Sequence, residues 1–178
     1  MRLRSILPAV ALLLSPLAAE AQSPIQISFF PPAQLVSEDQ EITAFRLSLY
    51  GRNAGMTGLD LGLVTHTTGD ATALQIGAVN IVEGDFTGVQ AGWAGGSLVN
   101  FTRGHMKGLQ FAIYNGAGSG QGLQWGLVNN TEGHMEGLQV SFVNIANDFN
   151  GLQVGLINII RSKDRFPVLP LVNWKFDN

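Results

Sequence analysis

Apolar and polar residues alternate with period two in short bursts along most of this chain, and the bursts are copies of one another. The phrase "GLQVGLIN" (151–158) has a near twin in "GLQWGLVN" (122–129) and a looser one in "GLQVSFVN" (137–144). Aligned on that start, units begin at Ala44, Gly58, Ala73, Gly88, Gly108, Gly122, Gly137 and Gly151, at spacings of 14, 15, 15, 20, 14, 15 and 14 residues. The extra residues "GGSLV" (95–99) account for the one long spacing. Strict alternation over about five residues is a strand signal. Each unit is therefore one strand followed by turn-like residues.

One parity of each strand is apolar. It begins with Leu59, Leu74, Leu109, Leu123, Leu138 and Leu152, and continues two residues on with Leu61, Ile76, Phe111, Trp125, Val140 and Val154. These leucines are the expected repeat core. The other parity carries Gln110, Gln124, Gln139 and Gln153, mostly followed by glycine. Asn80, Asn115, Asn129, Asn144 and Asn158 end the strands, and Gly58, Gly88, Gly108, Gly122, Gly137 and Gly151 start them. Asn and Gly best tolerate positive φ, so both positions predict corners. An apolar residue two before each Gly corner (Met56, Phe86, Met106, Met135, Phe149) is expected to point back at the Leu stripe.

A single unit cannot shelter its own apolar face, but stacked units can. The predicted fold is all-β: a short parallel β-solenoid of about eight units of 14–15 residues, with Gln and Asn ladders along the axis. On this reading Leu123→Asp and Leu152→Asp should abolish cooperative unfolding. The alternative is an antiparallel up-and-down barrel in the outer membrane, suggested by the closing alternation "FPVLPLVNWKF". Against it, a spanning strand needs about 9–11 residues with an apolar outer face.

The ends lie outside the repeat. "MRLRSILPAVALLLSPLAAEAQS" has a basic start, twelve apolar-run residues from Ile6 to Leu17 and a small-residue site, so residues 1–21 are expected to be a cleaved export signal. Residues 22–43 are expected to form an N-terminal strand or cap with a loop. The repeat domain spans 44–164, and 165–178 make a C-terminal cap or terminal strand. Cysteine is absent, which excludes a disulfide framework and cysteine-based sites. The net charge of −3 carries no basic stripe for nucleic acid.

Tandem "GLQxGLxN" phrases behind an export signal, closing on "FPVLPLVNWKF", resemble the leptospiral-type surface-repeat proteins of bacteria. The resemblance covers about Ala44 to Phe176; the first unit, "AFRLSLYG", departs from it by lacking Gln and Asn, and 95–99 departs as an insertion. It implies placement in the cell envelope and no particular activity.

Candidate chemistry is sparse. His105 and His134 share a frame but fall short of metal-ligand spacing, and with His66 they are expected to be turn residues. "NGAGSGQG" (115–122) lacks the Lys-Ser/Thr of a phosphate loop. Asp70, Asp85 and Asp148 suit turns. Glu132 and Glu136 sit in turn-like segments, and "NFT" (100–102) and "NNT" (129–131) follow from the recurring Asn. Trp93 and Trp125 share the Leu frame and are expected in the core. The expectation is a non-enzymatic exported platform for an envelope or surface partner, without cofactor, at the outer membrane or cell surface. The alternatives are a periplasmic location, a small outer-membrane barrel and, remotely, a glycan- or ice-binding solenoid.

Overall fold

The structure, a computed structural model, describes residues 22–92 and 97–176; the expected export signal (1–21) and Trp93 lie outside them. The strands are β1 (Gln22–Phe30), β2 (Ala33–Gln34), β3 (Glu41–Asn53), β4 (Gly55–Thr67), β5 (Ala71–Ile76), β6 (Val79–Val82), β7 (Phe86–Ala91), β8 (Ser97–Val140), β9 (Val143–Ile160) and β10 (Val168–Lys175). The long strands bend at corners, and β8 alone winds through several rungs. Leu59 lies over Phe45, Leu74 over Leu59 and Val89 over Leu74, all in parallel register. The chain is a β-solenoid of about nine turns. Because its repeat strands pair in parallel, the up-and-down barrel is overturned.

The stack begins one rung earlier than the repeat frame indicated. β1 pairs in parallel with β3 and sets Gln26 over Arg46, in the Gln column. At the other end β10 runs antiparallel along β9, with Asn173 opposite Gln153. That reversal covers the last rung's open edge with a proline-containing strand, as a cap should. Val99, expected within the insertion at 95–99, belongs to the repeat frame, since Val99 and Asn100 pair with Val79 and Asn80.

The interior inverts the expected core. Gln75, Gln90, Gln110, Gln124, Gln139 and Gln153 are fully buried, as are Asn80, Asn100, Asn115, Asn129, Asn144 and Asn158. By contrast Leu74, Leu109 and Leu152 are exposed, and Leu59, Leu123 and Leu138 are half-buried on the outside. Trp125, also expected inside, is 58% exposed. The apolar part of the core is a separate column, Ile42, Met56, Ala71, Phe86, Met106, Met135 and Phe149, joined by Val82, Ala117, Ala146 and Ile160. Met56 and Asp60 are four residues apart and share a parity. The Met/Phe column therefore enters the coil beside the glutamines and turns away from the leucines.

The repeat grammar follows from this section. Each corner Gly has positive φ, from 107° at Gly58 to 143° at Gly151. A Cβ on Gly122 would stand 2.0 Å from the Gly108 carbonyl oxygen of the rung below. The second Gly of the motif admits both the rung below and the asparagine: a Cβ on Gly155 would lie 2.1 Å from the Ser141 carbonyl oxygen and 2.8 Å from Asn144 Nδ2. Asn itself is not a positive-φ corner, because the only non-glycine residues with positive φ among those described are Phe166 and Leu171. Its place is set by its side chain, which the coil needs inside.

Leu123→Asp therefore keeps a cooperative thermal transition, its midpoint moved by only a few degrees. Gln124→Ala strips partners from Gln110, Gln139 and Thr131, at about 1–3 kcal/mol for each buried group left unbonded. Melting curves followed by circular dichroism check the order; a larger loss for Leu123→Asp would reject this packing.

Candidate functional site

Two amide ladders run through the coil with opposite polarity. Each Gln Nε2 donates to Oε1 one rung towards the N-terminus: Gln153 to Gln139 (2.7 Å), Gln139 to Gln124 (2.6 Å), Gln124 to Gln110 (2.8 Å), Gln110 to Gln90 (2.7 Å) and Gln90 to Gln75 (2.8 Å). Each Asn Nδ2 donates the other way, from Asn80 to Asn100 (2.8 Å) and on through Asn115, Asn129 and Asn144 to Asn158. A side-chain amide has both a donor and an acceptor end, so it suits an endless in-register stack. The expected Gln and Asn ladders are thus present at every position named for them.

The Gln ladder needs an acceptor at its N-terminal end, and Asp60 supplies one, taking 2.9 Å from Gln75 Nε2. Arg46, one rung below, meets the same carboxylate through Nε (2.8 Å) and Nη2 (2.6 Å), both side chains fully buried. Arg46 Nη1 also donates to the His66 carbonyl at 3.0 Å. Sequence reasoning missed this pair, although Arg46 and Asp60 occupy the Gln frame in consecutive units. At the far end Gln153 Oε1 accepts no bond, because Asn173 turns its amide to the carbonyls of Asn158 and Pro167.

The outside has two unlike parts. The rung corners form a polar edge in which Asp70 Oδ1 accepts from the Asp85 amide (2.8 Å) and Asp85 Oδ1 from the His105 amide (2.7 Å). His105 meets Ser119 (2.9 Å), and His134 meets Asp148 (2.8 Å) one rung on. The three histidines are thus apart: His66 is half-buried between Tyr50 and Glu83. The hydrogen bond to His66 holds the Glu83 carboxyl below its ordinary range. Asp148 is held well below the usual carboxylate range by the Lys175 ammonium, then by the Ser162 hydroxyl and His134. Lys175 belongs to β10, so this contact pins the cap to the stack. Among the described residues no group of three or more metal-ligating side chains is assembled, and Glu132 and Glu136 are exposed.

The second part is apolar. Three outward columns climb one sheet face: Phe45 to Leu152, Leu47 to Val154, and Leu49 to Leu156. Leu63, Trp125, Phe142 and Leu156 are each more than half exposed. Among the described residues no Lys, Arg, Asp or Glu occupies any of these columns. Near the cap the face dips into a groove of about 500 Å³ lined by Trp125, Val140, Phe142, Val154, Leu156 and Leu171, among others. Sequence reasoning found the columns that begin at Leu59 and Leu61 and put them on the wrong side of the wall.

Two outcomes are expected. Asp60→Asn leaves Arg46 buried without its counter-ion and costs about 3–5 kcal/mol, whereas Arg46→Gln with Asp60→Gln extends the ladder and recovers most of the loss in denaturant titrations. Asp148 titrates lower when folded than its unfolded value of about 3.9. Its contribution is thus complete above about pH 4 and lost as pH falls through the lowered value. Asp148→Asn should be less stable than wild type at pH 7 and indistinguishable from it at strongly acid pH, as melts across that range would reveal.

Set beside protein-family models, curated proteins and solved structures, the chain matches none.

Proposed function

We propose that this chain is an exported, non-enzymatic protein of the cell envelope, a stacked β platform whose apolar outer face is its working surface. One observation carries the reading: the uncharged apolar columns. With β1 and β10 flanking the eight repeat units, nine spacings of about 4.8 Å and five residues at about 3.3 Å give a face of roughly 700 Å². Monomeric soluble proteins seldom expose a contiguous apolar patch beyond about 300–600 Å² unless it binds something. The export-signal pattern at 1–21 and the resemblance to envelope surface repeats agree with such a role.

The placement of polar chemistry supports the same reading. Buried Gln and Asn side chains are bonded rung to rung, so the interior's donors and acceptors serve the stack. The exposed His and Asp groups likewise tie neighbouring rungs together. What the fold leaves uncommitted is the apolar face.

Expression of the full chain in a bacterial host should yield a mature N-terminus at Gln22, with the protein recovered in the envelope fraction. Deletion of residues 2–21 should leave it in the cytosol. An intact N-terminus on full-length protein in the soluble cytosolic fraction would reject the proposal.

A further inference from the structure

We infer that the occupant of the apolar face is the hydrocarbon margin of a lipid layer, on which the solenoid lies flat with its polar edge towards water. This deepens the envelope reading above and rests on it.

The charge distribution is the first argument. The outward columns are apolar in every described rung and hold no ionisable acid or base. The exposed charges stand elsewhere, at the rung corners and the ends: Asp70, Asp85, Arg103, Lys107, Glu132 and Glu136 among them. In cross-section the coil is amphipathic, as an interfacial helix is, and such helices sink their apolar side about 5–10 Å into the lipid boundary.

The extent of the apolar surface decides between lipid and a second copy. Face-to-face pairing would bury about 700 Å² on each copy, enough for a standard interface of about 800 Å² per partner. However, the apolar surface continues round the corner as Val64, Val79, Val99, Val128 and Val143, with Ile157 46% exposed. A flat partner copy covers one face and leaves that shoulder wet; a fluid covers both. The corner also holds Tyr50 and Tyr114, whose hydroxyls meet His66 Nδ1 (3.3 Å) and Asn130 Nδ2 (3.4 Å) on the neighbouring rungs.

The test is flotation of the purified mature chain with vesicles of phosphatidylcholine alone and of phosphatidylcholine with phosphatidylglycerol. The protein should float equally with both and at high as well as low salt, since the face has no charge for headgroups to meet. Leu127→Glu with Phe142→Glu should lower the vesicle-bound fraction about tenfold or more, with the circular dichroism melt retained. Thr72→Glu, on the polar edge, should float as wild type does. Brominated acyl chains should quench tryptophan emission, and less so in Trp125→Phe. Protein that stays at the bottom of the gradient, as a monomer or as a dimer of doubled sedimentation mass, would overturn the inference; so would flotation that needs the anionic lipid. Recovery in the envelope fraction of cells without flotation would leave the envelope role standing and reject lipid as its anchor.

Discussion

Everything in this solenoid depends on the side-chain amide that donates in one direction along the axis and accepts from the other. Burying an amide without partners costs about 1–3 kcal/mol, so one Gln inside a coil is a liability. A column of them, each bonded above and below, removes that cost at every position except the ends. The condition is strict register, because a slip of one residue would put every amide on the outside. Repetition in the sequence is thus a requirement of the interior chemistry, and departures from it concentrate where ladders end. Arg46 and Asp60 close one end with a bidentate ion pair. At the other, Gln153 Oε1 is left without a donor where the antiparallel cap begins.

The two ladders also balance each other. Gln donors point towards the N-terminus and Asn donors towards the C-terminus, so the amide dipoles of the two columns oppose. The narrow section that brings the columns together admits little else beside them. Glycine occupies the inward place next to Asn at 77, 126 and 155, where a methyl group would collide with the Asn side chain and, at 126 and 155, still more closely with a carbonyl oxygen of the rung below. Apolar bulk enters chiefly through the Met/Phe column beside the glutamines. A coil lined this way has no room for its leucines, and they stand on the outer surface.

That displacement connects the fold to the proposed role. A soluble repeat protein ordinarily hides its apolar columns and shows its polar ones. This chain hides amides that satisfy one another and shows hydrocarbon that nothing in the monomer covers. The rung corners are tied by Asp–amide and His–Asp contacts and carry charge, so the molecule has distinct wet and oily sides.

The sequence by itself determined the strand period, the rung length, the Gln and Asn columns and the corner glycines, because each recurs at a fixed frame; parallel stacking was favoured over an antiparallel barrel but decided only by the pairing of the strands. The sequence did not determine which parity faces inward. Alternation with period two is unchanged when the two faces are exchanged, and the usual preference for buried leucine pointed the wrong way. One local cue was present: Met56, Phe86, Met106, Met135 and Phe149 share the parity of the Asp/Gln position four residues on, not that of the leucines. Only the closed coil decided the matter, since its width and the mutual bonding of stacked amides made the polar parity the one that fits inside. The buried Arg46–Asp60 pair and the Lys175–Asp148 clasp were likewise fixed by stacking, which brings together residues 14 and 27 positions apart.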